Sequence, residues 1–308
     1  MSWRTITDRA KRSHSILRLA DQLGRSRGRL RFLDRLDVVQ PAPYKPDLRD
    51  WNTRDLAATW IGHATVLLRI GGLNILTDPV FSNRVGLGFG LFTGGPLRLT
   101  APALRVEQLP PLDLILISHA HFDHLDRPTL VRLPKRVPII TASGTRDLID
   151  DLGFRNVTEL RWGESKRVGD VLVAARQVQH WGARTFYDRH RGFNAYLLHA
   201  GKQRVLYGGD TAFQTHFTNI PGIDLAILGI GAYDPYIAAH ATPEQALAMA
   251  DHARAERVLP IHHSTFRLSH ERTGEPIERL FNAAGSKTDR IVGHEMGTIW
   301  TPHSQTRY

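Results

Sequence analysis

Ser118-His119-Ala120-His121-Phe122-Asp123-His124-Leu125-Asp126 decides how this chain is read. It directly follows Leu114-Ile115-Leu116-Ile117, a short apolar run of the kind found in a strand buried on both faces. A strand that ends in three histidines and two aspartates sets polar groups at the edge of a sheet, where sites are commonly built. His119 and His121 are two residues apart, so in extended backbone they point the same way. Asp123 and His124 follow where the chain can turn back over them. Imidazoles and carboxylates at this density suit a borderline divalent ion such as zinc, with manganese or iron as alternatives. A solvated polar loop would gain nothing from crowding imidazoles together.

Working outward, the pattern on both sides is of strands and short helices. Val66–Ile70 and Leu73–Thr77 flank Gly71-Gly72, which predicts a hairpin with a two-residue turn. Residues 82–101 are rich in glycine and read as a long loop. Helices are expected at 128–133 and 144–152, with a strand at 137–140 between them. Further strands are expected at 171–178, 194–199, 204–207, 225–228 and 257–259. A helix is expected from Thr242 to about Ala255, with Thr242 as N-cap, Pro243 at N1 and Gln245 closing a capping box. Hairpins and βα units in two halves favour a layered α/β sandwich over separable domains.

The 308 residues are 42% apolar and 23% charged, which allows a packed core and excludes global disorder. There are no cysteines. A disulfide scaffold, a thiolate zinc site, an iron–sulfur cluster and a cysteine nucleophile are thereby excluded. No apolar run approaches the roughly 20 residues needed to span a bilayer. No secretory signal is read at the start, and a cytoplasmic location is expected.

The net charge of +10 is concentrated at one end. Residues 1–36 hold ten basic side chains against three acidic ones, a net +7. Ile16, Leu17, Ala20 and Leu23 form one helical stripe within this segment. It reads either as a helix docked on the main domain or as an interfacial helix on anionic lipid at the inner membrane face. Pro41, Pro43 and Pro46 then keep the connection extended. The organisation expected is a basic helix and connection over 1–56, and one larger α/β domain over 57–308.

His119-x-His121-x-Asp123-His124 resembles the HxHxDH motif of the metallo-β-lactamase fold. The resemblance implies a four-layer αββα sandwich with a two-metal site at one edge. Its later ligands have counterparts in order: His180 in Gln179-His180-Trp181, Asp210 in Gly208-Gly209-Asp210-Thr211, and His262 in Pro260-Ile261-His262-His263. Carried over residue by residue, two Zn2+ (or Mn2+ or Fe) are implied. His119, His121 and His180 would hold one, and Asp123, His124 and His262 the other. Asp210 would bridge them. His263 competes with His262 for the last place.

The closer resemblance is to the N-acyl-phosphatidylethanolamine-hydrolysing phospholipase D group and its bacterial relatives. It rests on Thr59-Trp60-Ile61-Gly62-His63-Ala64-Thr65-Val66, Leu76-Thr77-Asp78-Pro79-Val80-Phe81-Ser82, Gly229-Ile230-Gly231-Ala232-Tyr233-Asp234-Pro235 and His240-x-x-Pro243-Glu244. It implies phosphodiester hydrolysis by hydroxide formed at the two metals, with a phospholipid or related diester as substrate. Asp123 would orient that hydroxide or take its proton, and His240 would assist the substrate or leaving group. Asp78, His63 and Tyr233 are implied as groups that orient ligands or reach substrate. A lactonase or other carboxyl-ester hydrolase is the alternative. Ascorbate-6-phosphate lactonases share the metal motif but not the His63 and Tyr233 contexts. A nucleic-acid phosphodiesterase ranks below both: the basic residues are confined to the tip, and no nucleic-acid partner is expected. A homodimer is left open. His294 reads as structural, and His14, His190, His216, His252 and His303 as surface residues.

Overall fold

The computed structural model describes residues 38–302 apart from 90, 91, 186 and 221. The helix expected within residues 1–36 lies outside the described residues. Fifteen strands are described: β1 Leu56–Gly62, β2 Thr65–Ile70, β3 Leu73–Thr77, β4 Gly88–Phe89, β5 Phe92–Thr93, β6 Leu114–Ile117, β7 Ile139–Ala142, β8 Val157–Leu160, β9 Ser165–Val168, β10 Val171–Arg176, β11 Ala195–Ala200, β12 Gln203–Tyr207, β13 Ile223–Gly229, β14 Ala255–Ile261 and β15 Ile299–Trp300. The α-helices described are α1 Arg127–Arg132, α2 Pro243–His252 and α3 Glu275–Ala284.

Two mixed sheets form the centre. One runs β15-β1-β2-β3-β6-β7-β8, and the other β14-β13-β12-β11-β10-β9. Strand alternation shows how they meet. Ala58, Trp60, Val66, Leu68, Leu114 and Leu116 from the first sheet share one buried cluster with Val173, Tyr196, Leu198, Val205, Tyr207 and Ile227 from the second. The residues between them point outward. Leu67, Leu76, Ile115 and Ile117 pack with Leu130 of α1, while Leu206, Ala226, Leu228 and Val258 pack with Ala246, Met249 and Ala250 of α2 and Leu280 of α3. The layers are therefore helix, sheet, sheet, helix, as the family resemblance implies. A one-residue slip in any of these strands would exchange its inner and outer sets, so the register is strongly specified.

The hairpin is formed by β2 and β3, with Gly71 and Gly72 both at positive φ in its turn. The capping box of α2 is present, with Gln245 N donating to Thr242 Oγ1 at 3.3 Å and Thr242 N to Gln245 Oε1 at 3.0 Å. The helix expected over 144–152 is instead two single 3-10 turns, Arg146–Leu148 and Asp150–Leu152. The segment is short enough that helix cooperativity contributes little. Its first donors are taken from across the sheet, Thr145 N and Arg146 N both donating to Glu159 Oε1. Strands β4, β5, β8, β9 and β15 and helix α3 fall outside the sequence expectations, β4 and β5 within the stretch read as a loop. Strand β9 is a charged, exposed edge, Ser-Lys-Arg-Val, with no apolar alternation to announce it. Helix α3 carries its apolar stripe on Ile277, Leu280, Phe281 and Ala284.

Strands β3, β6, β7 and β8 are parallel neighbours, as are β12, β13 and β14. Their carboxyl ends open at one edge of the sandwich, the place where α/β sheets commonly bind ligands. Among the described residues no helix is long and apolar enough to cross a membrane.

Candidate metal centre

Four strand ends and one hairpin turn deliver the polar residues. Strand β6 ends into Ser118 and His119. The chain then tightens, with His124 N and Leu125 N both donating to His121 O, so that His121, Asp123 and His124 sit within one turn. His180 follows β10, Asp210 follows β12 and His262 follows β14, while His63 lies in the β1–β2 turn. Gly209 lets β12 finish against β6: a Cβ there would lie 2.7 Å from Ser118 Cβ. His63, Asp78 and His262 all adopt positive φ, a region uncommon outside glycine. Such backbone outliers gather where a site over-determines the chain.

Two groups of side chains converge. In the first, His121 Nδ1 lies 2.8 Å from His119 Nε2 and 3.2 Å from His180 Nε2. In the second, Asp123 Oδ2 lies 2.8 Å from His63 Nε2, 3.4 Å from His262 Nε2 and 3.6 Å from His124 Nε2. Asp210 Oδ2 stands between the groups. It is 3.1 Å from His124 Nε2, 3.2 Å from His262 Nε2, 3.8 Å from His180 Nε2 and 4.0 Å from His119 Nε2.

The hydrogen bonds behind these rings fix their tautomers. His180 Nδ1 faces the carbonyl of Ala239 at 2.9 Å, which only accepts, so Nδ1 carries the proton. His124 Nδ1 donates to Asp78 Oδ2 at 2.6 Å. Ser118 has one hydroxyl proton and donates it to Asp78 Oδ2 at 2.5 Å. It must then accept from His119 Nδ1, 2.8 Å away. His119 and His180 therefore turn an Nε2 lone pair into the site; His124 also points its Nε2 there, and although burial opposes its protonation, Asp210, Asp123 and Asp78 hold its pKa well above the usual histidine range. Burial, reinforced by neighbouring imidazoles, holds His119 and His180 well below the usual histidine range. Both are neutral, the form that binds metal.

His121 Nδ1 faces the lone pairs of His119 Nε2 and His180 Nε2 together, and the single hydrogen it can carry serves at most one of them well, which leaves a buried lone pair for a cation to take. His124 Nε2, both ring nitrogens of His262 and Asp210 Oδ1 are buried with no hydrogen-bond partner. The two carboxylates also call for positive charge. Burial opposes protonation of His262, yet Asp210 and Asp123 carry it up to about 9. The donor set, nitrogen-rich with one carboxylate between its two halves, fits divalent transition ions.

The remaining residues separate clearly. Asp78 is fully buried and accepts from Ser118 N, Ser118 Oγ, His124 Nδ1 and Tyr207 Oη, each at 2.5–2.6 Å. It meets the site only through other side chains. His240 Nδ1 lies 3.7 Å from Asp210 Oδ2, with its ring between His180 and His262. His263 turns away, its ring 4.6 Å from Trp60 and its Nδ1 on Ser264. Tyr233 donates its hydroxyl to Glu275 at 2.8 Å and lies under Arg279, so its polar end faces α3. His294 packs edge-on against Phe281.

Three positions near the site escaped the sequence. Arg184 Nη1 donates to Ala120 O and Leu125 O, both at 2.8 Å, and clasps the two ends of the metal loop, with its guanidinium over Phe122. Trp181 is half exposed, with its ring 5.0 Å from His121. Tyr207 reaches Asp78 from the core face of β12. Only Tyr207 had a signal: a polar tip on an inward position, just before Gly208-Gly209-Asp210.

Comparison with known proteins places the fold. A family model described as "Beta-lactamase superfamily domain" matches residues 73–263. N-acyl-phosphatidylethanolamine-hydrolyzing phospholipase D 1 of Caenorhabditis elegans is 32% identical over 271 residues, covering 80% of this chain and 75% of that protein. An uncharacterized protein of Mycobacterium tuberculosis is 35% identical over 255 residues, covering 78% of this chain and 67% of that one. Among solved structures, a metallo hydrolase from the archaeon Ignicoccus hospitalis superposes with a TM-score of 0.60 at 20% identity, covering 80% of this chain and 97% of that one.

Proposed function

This chain belongs to the beta-lactamase superfamily and is a metal-dependent hydrolase with the metallo-β-lactamase fold; on that premise we propose that it cleaves a phosphodiester as a phospholipase D does, with N-acyl-phosphatidylethanolamine or a related lipid as substrate class. The observation that carries this reading is the likeness to the worm phospholipase D, 32% identical along 80% of the chain. In this proposal His119, His121 and His180 hold one ion, and Asp123, His124 and His262 the other, with Asp210 between them. Zinc is the proposed metal, since it favours nitrogen-rich sets. When bound, such a pair lowers the pKa of water to about 7 and offsets charge growing on the phosphoryl oxygens.

The chain's own groups supply the rest. Asp123 orients the attacking water or accepts its proton, and His63 Nε2, 2.8 Å away, steadies that carboxylate. Asp78 fixes His124 and, through Ser118, His119, so the donors are set before substrate arrives. His240 is only 14% exposed at its side chain and opens on Asp210. Burial lowers its pKa to about 4, so the ring is neutral and offers one N–H to a substrate oxygen. Water attacks phosphorus, the bond to the N-acylethanolamine oxygen breaks, and phosphatidic acid remains.

Incubating the zinc-loaded protein with a bis-aryl phosphodiester, an N-acyl-phosphatidylethanolamine and a lactone tests the reading. Cleavage of both diesters, with release of N-acylethanolamine, is expected. A lactone opened while both diesters stay intact would overturn it in favour of carboxyl-ester hydrolysis.

Residues 1–36, net +7, are proposed to contact an anionic membrane surface. Each Lys or Arg near such a surface contributes about 1 kcal/mol. Removing them is expected to leave hydrolysis of the soluble diester intact and to weaken co-sedimentation with anionic vesicles. Salt should weaken binding of the full chain in the same assay, because exposed charges are screened beyond about 8 Å at physiological ionic strength. Undiminished vesicle binding by the shortened chain would show that the segment has another partner.

A further inference from the structure

Taking the two side-chain groups as paired metal sites, we propose that Arg98 is a positioning residue for the second of them, holding His63 and His262 in place without touching either. Arg98 has 0% exposure, although it carries a full guanidinium. Its Nε donates to Ser82 O at 3.0 Å and its Nη2 to Val80 O at 2.7 Å. Its plane lies over Phe266, with Cζ 4.6 Å from the ring centroid. Phe266 in turn stands edge-on to His63, with centroids 5.2 Å apart.

The backbone around Arg98 repeats this bridging. Arg98 N donates to Asn83 O, Leu99 N to Thr265 O, and Thr100 Oγ1 to Ser264 O. Residues 98–100 thus buckle the segment after Asp78 to the segment after His262. The buckled side reaches the site directly: His63 N donates to Thr265 Oγ1 at 2.8 Å, and His262 N to His63 O at 3.0 Å. The His63 and His262 rings lie 4.1 Å apart.

The cation itself asks for an explanation. Burial brings its pKa down to about 10, so it stays charged at neutral pH. Asp126 attracts it, but among the described residues no carboxylate hydrogen-bonds it, and Nη1 is buried without a partner. Burying a charge with so little compensation is costly, and an apolar side chain would fill the space more favourably. What an apolar side chain could not do is tie two carbonyls to an aromatic ring. Gly62, next to His63, makes room for it: a Cβ there would lie 3.3 Å from Arg98 Nη1.

The test is a zinc titration of the metal-stripped full chain by calorimetry, with Arg98→Met, Arg98→Lys and Phe266→Leu beside wild type. Circular dichroism and melting check that each is folded. Wild type should take up two equivalents. Arg98→Met should keep the first and bind the second about 10–100-fold more weakly, the usual loss when a group that orients a ligand is removed. Arg98→Lys should fall between, since an ammonium can reach the carbonyls but cannot lie flat on the ring. If Arg98→Met does not fold, Phe266→Leu decides, because it removes the ring contact and leaves both carbonyl bonds. A folded Arg98→Met or Phe266→Leu chain with wild-type affinity at both sites would overturn the proposal. Equal weakening of both equivalents would also overturn it, as the mark of a general packing role. Wild type that takes up no zinc would overturn the paired-site reading itself, and this inference with it.

Discussion

Asp210→Ala is expected to lower kcat/KM on a soluble phosphodiester by far more than the roughly 100-fold that bounds Asp78→Ala. The difference follows from what each carboxylate touches. Asp210 Oδ2 is 3.1–4.0 Å from four imidazole nitrogens drawn from both groups. Removing it withdraws the one carboxylate that faces both groups and leaves their crowded ring nitrogens without it. Asp78 meets the site only through His124 Nδ1, Ser118 and Tyr207. Losing such a partner typically costs about 10–100-fold in metal affinity or activity. Equal activity of Asp210→Ala and wild type, measured at saturating zinc, would show that Asp210 does not lie between two ions.

Exhaustive chelation is expected to abolish hydrolysis and lower the melting temperature by several degrees, and added zinc should restore both. A ligand that binds only the folded chain stabilises it by about 2.7 kcal/mol at a hundredfold excess over its Kd. Here the gain is concentrated in a few side chains. His119 and His180 crowd their ring nitrogens within 2.8–3.2 Å of His121 Nδ1, where one hydrogen cannot serve both neighbours. Differential scanning calorimetry with and without chelator reads the stability arm, and the soluble diester reads the activity arm. Hydrolysis that survives a chelator strong enough to empty the protein would contradict the metal-dependent mechanism.

Much of the fold was legible because its signals are local. The hairpin followed from Gly71-Gly72 between two apolar runs, and the start of α2 from Thr242-Pro243-Glu244-Gln245. The first part of the site was legible for the same reason: in His119-x-His121-x-Asp123-His124, a strand end and one tight turn hold every member. His180, Asp210 and His262 became visible only through the resemblance: the strands before them were expected, but one polar residue after a strand does not by itself mark a ligand. What sequence could not supply depends on distant partners. Arg184 is recognised by two carbonyls some 60 positions upstream. Arg98 is recognised by Val80, Ser82 and Phe266, which meet only after both sheets have packed. The two single turns at 146–152 replaced an expected helix because Glu159, on a neighbouring strand, takes the amides that would have begun it.

The pairing of two ions is measured most directly by counting them. The full chain, purified without chelator and analysed for metals by mass spectrometry, should carry close to two equivalents of zinc, manganese or iron per polypeptide. Full hydrolytic activity in a chain that carries no metal, or only one equivalent, would contradict it.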